Sequence, residues 1–120
     1  MALDLRLAEF VEELFRPLGI IIVRRMFSGG GIYCDGLMFG LIADNVIYLK
    51  ADARSRAAFE AEGLRPFIYQ GPRKPVAMSY WRLPDRLLDD PEEALEWGRE
   101  ALRAARDAII RRKKKPRTFR

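Results

Sequence analysis

The chain has 120 residues, 49% of them apolar and 11% aromatic, and a formal charge of +5; this is one globular domain with one core, too small for two. No apolar run approaches the ~18 residues of a membrane span and no leader-like segment opens the sequence, so a cytoplasmic protein is expected. With no histidine and a single cysteine, Cys34, an intrachain disulfide is excluded, and zinc sites and His-dependent hydrolase chemistry are disfavoured.

In chain order, "LDLRLAEFVEELFRPLG" predicts a helix with Leu7, Ala8, Val11, Leu14, Phe15 and Leu18 on one face, an irregular last turn at Pro17 and a stop at Gly19. A strand follows over Ile20 to Met26, rich in β-branched residues. Asp35-Gly36 and Asp44-Asn45 suit two-residue turns, which gives an antiparallel meander with strands near 31–34, 37–43 and 46–50. The triple glycine Gly29, Gly30 and Gly31 is expected to form a bend or bulge before that meander. A helix is expected from Ala53 to Glu62, capped by Asp52 and closed by Gly63. "PFIYQ" and "VAMSYWRL" are two further strands joined by "GPRKP". In the long last helix, Asp90, Pro91 and Glu93 form a capping box. Leu95, Gly98, Leu102, Ala105 and Ile109 mark its packed face, flanked by Trp97, Ala101 and Ala108.

These elements compose an α+β fold: an antiparallel sheet meander packed with helices, an N-terminal helix and a long C-terminal helix. Residues 1–110 form the domain, and 111–120, "RRKKKPRTFR", a basic tail expected to be disordered. The tail holds seven of the 22 Lys and Arg and none of the 17 Asp and Glu, so residues 1–110 carry 15 basic against 17 acidic groups, a formal −2.

The glycine stretch leads into a strand, not a helix, and no Lys-Ser/Thr pair follows, which argues against a phosphate cradle. Met26, Phe27, Met38 and Phe39 belong either to the core, as alternation in short strands suggests, or to an adaptable docking surface. Cys34 is expected to be buried or half-buried in a strand; only Arg24 and Arg25 would favour a reactive thiolate. Asp35 and Asp44 serve turns, and Asp89, Asp90, Glu92 and Glu93 a helix start, so no catalytic carboxylate pair stands out. Tyr33, Tyr48, Tyr69, Tyr80 and Trp81 fill the core or its rim; bases would stack on them if several shared an exposed sheet face.

The run "RRMFSGGGIYCDGLMFGLIADNVIYLKAD", followed by "FEAEGLRPFIY" and "PVAMSYWRLPDRLLDDPEEALEWGREALRAA", resembles the N-terminal domain of the TfoX family, bacterial proteins named for regulators of natural competence. The likeness spans about 100 residues, from the first helix to Ala108. It rests on Arg25, Met26, Phe27, Gly29, Gly31, Ile32 and Tyr33, then on Asp35, Gly36, Met38 and Phe39. Further on it rests on Tyr48, Leu49 and Lys50, on Phe67 and Tyr69, on Met78 and Tyr80, and on Trp97. Ser28 replaces the first glycine of the family's Gly-Gly pair. Full competence regulators add a C-terminal helical domain, in whose place this sequence has the basic tail, so the resemblance implies a stand-alone domain. It supplies no catalytic residue set.

The expected function is therefore a non-enzymatic regulatory or protein-interaction domain, without cofactor or metal. Its candidate surface comprises the family-motif residues Arg25, Met26, Phe27, Gly29, Gly31, Tyr33, Asp35 and Gly36. The partner is an unidentified protein or a second copy of the chain. The alternative is weak, sequence-independent nucleic-acid binding through Arg111, Arg112, Lys113, Lys114, Lys115 and Arg117.

Overall fold

In the computed structural model, which describes residues 3–26 and 28–114, the stripe Ala8, Val11, Leu14 and Phe15 is buried along helix α1 (Leu5–Phe15). Asp4 caps it, its Oδ1 accepting from the Arg6 N–H at 2.9 Å. Pro17 has no N–H to extend the ladder, and the chain tightens into a 3-10 turn over Arg16–Leu18.

Among the described residues six antiparallel strands form one sheet: β1 (Ile21–Met26), β2 (Gly29–Cys34), β3 (Leu37–Ala43), β4 (Val46–Lys50), β5 (Pro66–Gln70) and β6 (Pro75–Arg82), in the order β1-β2-β3-β4-β6-β5. The two tight turns fall where expected: Asp35 and Gly36 have φ of 50° and 88°, Asp44 and Asn45 of 50° and 59°.

The triple glycine differs from expectation. Gly29, Gly30 and Gly31 are not a bend; they lie in β2, opposite Met26, Arg25 and Arg24, and the bulge comes later, at Ile32/Tyr33. Their role is close approach. A Cβ on Gly29 would sit 1.9 Å from the Ile42 carbonyl oxygen, and one on Gly31 3.1 Å from the Met26 Sδ.

Helix α2 (Arg56–Ala61) is shorter than expected. Asp52 instead closes the turn before it, its Oδ1 accepting from the N–H groups of Arg54 at 3.0 Å and Ser55 at 3.1 Å. Helix α3 (Pro91–Lys114) begins at Asp90, whose Oδ1 accepts from the Glu93 N–H at 3.2 Å. The capping box is only half made, because the Glu93 carboxylate turns to the Arg86 guanidinium at 2.8 Å and the Trp97 Nε1 at 3.2 Å. Arg86 also grips Glu62, joining the end of α2 to the start of α3. At its far end α3 continues past Ile110, so Arg111 to Lys114 are helical, not the start of a disordered tail.

Helices α1 and α3 lie side by side on one face of the sheet, in contact where Gly98 meets Leu18 and Phe15. Ile32, Phe39, Ile42, Leu49 and Trp81 point into this layer. Phe15 meets Phe39 edge-on with ring centroids 5.6 Å apart. Ile109, expected on the packed face, is exposed.

Candidate functional site

Strand alternation sends the other side chains to the opposite face, which no described helix covers. Register fixes the membership: Met26 faces Gly29, Tyr33 faces Met38, Leu41 faces Tyr48, and Lys50 faces Tyr80. The face is concave. Met26, Met38, Leu41, Phe67, Met78 and Tyr80 line a cavity of about 390 Å³. A Cβ on Gly31 would press on the Tyr33 ring at 3.0 Å, the Met26 Sδ at 3.1 Å and the Met38 methyl at 3.3 Å, so these side chains gather over a residue without one.

Around this apolar floor the cations Arg24 and Lys50 rest on aromatic rings. The Arg24 guanidinium lies 5.5 Å from the centroid of the Tyr33 ring, and the Lys50 Nζ 5.2 Å from that of Tyr80. The Lys50 ammonium also donates to the Ser79 Oγ at 2.7 Å. Tyr48 packs on Phe67 with centroids 5.2 Å apart. Burial pushes the Tyr80 phenol up, with a smaller push from Tyr33. Burial pulls the Lys50 ammonium down, helped by the positive charges of Arg112 and Arg111. Apolar and aromatic groups of a partner would fit such a surface, with cations at its rim.

The expected motif residues separate. Met26, Gly29, Gly31 and Tyr33 come together on the concave face; Arg25 alternates to the other side of β1. Asp35 and Gly36 form the β2–β3 turn, where the Asp35 Oδ1 accepts from the Ile20 N–H at 3.0 Å. Phe27 lies outside the described residues, as do Lys115 and Arg117. Arg111, Arg112 and Lys113 are exposed on the last turns of α3, and Lys114 ends the helix.

Of the Met-aromatic group, Phe39 is core, whereas Met26 and Met38 line the cavity. Tyr33, Tyr48, Tyr69 and Tyr80 do share the uncovered face, and Trp81 sits on the opposite one, buried. Phe67, Met78 and Tyr80 complete the floor, although sequence reasoning alone does not place them in the site. The signal was present in "VAMSYWR", where period two puts Val76, Met78 and Tyr80 on one side and Trp81 on the other.

Cys34 is buried, its thiol 3.6 Å from the Leu18 carbonyl oxygen, and burial followed by Asp35 pushes its pKa up. Among the described residues no group of three or more Cys, Asp or Glu side chains is placed to hold a metal ion, and no helix is long and apolar enough to cross a membrane.

Residues 13–105 match the family model of the TfoX N-terminal domain, so the chain belongs to that family. No curated protein matches it.

Proposed function

We propose that this TfoX N-terminal domain is a non-enzymatic regulatory module that acts by binding a protein on its concave sheet face. One observation supports the reading above all: the cavity of about 390 Å³, lined by methionines and aromatics, on the face that α1 and α3 leave bare. Flexible thioethers adapt to varied apolar shapes, and flanking tyrosines add area at little entropic cost. The occupant is thus a partner segment presenting aliphatic or aromatic side chains.

The test is affinity capture from the source cell's extract, treated with nuclease, by the wild-type chain and by Met78→Asp in parallel. Met78 is 38% exposed, so the fold should tolerate the change. The reading predicts a protein retained by the wild type and absent from the variant's capture; identical captures would contradict it.

A second reading, weak sequence-independent nucleic-acid binding at the basic end of the chain, is favoured by the exposure of Arg111, Arg112 and Lys113 on a helix end.

A further inference from the structure

The β5–β6 hairpin leaves the sheet as a two-stranded ribbon. β4 pairs with β6 from Arg82 to Tyr80 and the Ala51 N–H just after it donates to the Ser79 carbonyl oxygen at 2.9 Å, so among the described residues Pro75 to Ala77 pair only with Ile68 to Gln70. From Ile68 to Ser79 every residue but Gly71 is exposed. One face of the hairpin, with Tyr69 and Met78, borders the concave cavity, and its tip extends past it; a two-stranded hairpin this exposed is marginal in water and gains from being received by something else.

Its charge indicates the receiver. Residues 63–84 hold four basic groups, Arg65, Arg73, Lys74 and Arg82, and no acidic one, leaving the rest of residues 1–110 with 11 basic against 17 acidic groups. Arg82 pairs with Asp85. At the tip, Arg73 and Lys74 lie between Pro72 and Pro75 and make no ion pair among the described residues. The ribbon's base, where Tyr80 faces Lys50, is also within reach of Arg111 and Arg112, whose charges act on Lys50. Two basic projections therefore share one end of the molecule.

We propose that the β5–β6 ribbon enters the major groove of duplex DNA, with Arg73 and Lys74 on phosphates and Arg111 and Arg112 on the flanking backbone. The groove, about 12 Å wide, admits a two-stranded ribbon. About five residues beyond the sheet give the ribbon a reach of roughly 15 Å, more than the groove's depth of about 8.5 Å. The major groove of an RNA duplex is too narrow to receive it. With Arg73 and Lys74 on phosphates, which carry no sequence information, the principal contacts leave binding nearly indifferent to sequence. The proposal takes only its ligand class from the nucleic-acid reading above and moves the principal contact from the chain's end to the ribbon.

The test is titration of the full chain with a short DNA duplex, its single strand and the matching RNA duplex at several salt concentrations. Arg73→Glu/Lys74→Glu should weaken DNA-duplex binding at least ~10-fold and lower the salt slope by about two, at ~0.9 for each phosphate no longer neutralised, with the thermal midpoint unchanged. Should that variant unfold, Arg73→Gln/Lys74→Gln should give a smaller change of the same sign. Wild-type affinity in the ribbon variants overturns the proposal; if Arg111→Glu/Arg112→Glu then abolishes binding, the reading that places contact at the chain's end survives. Equal affinity for single strand or RNA duplex also overturns groove entry, and no binding by the wild type overturns both.

Discussion

Gly29 leaves no room for a side chain, because the obstacle is the Ile42 backbone oxygen, which cannot swing aside as a flexible side chain would. Gly29→Ala should therefore cost about 3 kcal/mol, the upper end of overpacking effects, measured by chemical denaturation. Gly36→Ala meets no neighbour but keeps a φ of 88°, so its cost should be nearer 1 kcal/mol, from backbone strain alone. These glycines show why a sequence can mislead: permission for positive φ and permission for close approach are written with the same letter. Asp52 offers a pH test. The Arg103 guanidinium, bidentate at 3.0 Å, holds its carboxyl well below the usual carboxylate range, with further help from the Ser55 and Arg54 N–H groups. Only 12% of that side chain is exposed, which limits screening. The folded pKa is depressed, so this stabilisation is complete above pH ~4 and fades as pH falls through the folded value. Asp52→Asn should lower the thermal midpoint at pH 7 and flatten its decline on acidification; parallel wild-type and variant curves would deny the pair that role.

At the scale of elements, strands and hairpin turns were readable because Asp35-Gly36 and Asp44-Asn45 tolerate the positive φ that such turns require. The last helix was readable at its start, from Asp90, and not at its end. Charge density argues for a disordered segment at Arg111, yet Arg and Lys are good helix formers and simply prolong a helix already nucleated and anchored by Arg103. Trp97 is set by the sequence beside the packed face of the last helix. It is half-buried between α2 and α3, its ring meeting Phe59 edge-on at 4.9 Å, while Trp81 occupies the sheet side of Phe59 at 6.0 Å. Trp81→Ala should consequently cost about 3–5 kcal/mol and Trp97→Ala about 2 kcal/mol, scaled from core truncations; denaturation midpoints in the reverse order would refute the packing assignment. Periodicity marks which face a residue occupies but not which neighbouring element covers it.

For the whole molecule, the helices take one side of the sheet and leave the concave side uncovered among the described residues, while at the outer edge of β1 the Val23 N–H donates to the Glu12 carboxylate of α1 at 3.0 Å. β1 pairs with β2 alone among the described residues, and Ile20 and Ile22 beside that edge are 68% and 46% exposed. If a second copy is the partner, these isoleucines, beside an edge whose Val23 N–H is already capped by Glu12, are where it would join. Sedimentation should detect dimers in the micromolar range for the wild type and monomers for Ile22→Lys; monomers throughout would end the idea. The central claim is the bare concave face itself, and solvent accessibility of methyl groups reads it directly. A soluble paramagnetic agent, added to the chain at a concentration where it is monomeric, should broaden the Met78 methyl resonance strongly and those of Met26 and Met38 in part, while the methyls of Val11 and Leu49 in the opposite layer stay sharp. Methionine methyls as well protected as those core methyls would contradict the account.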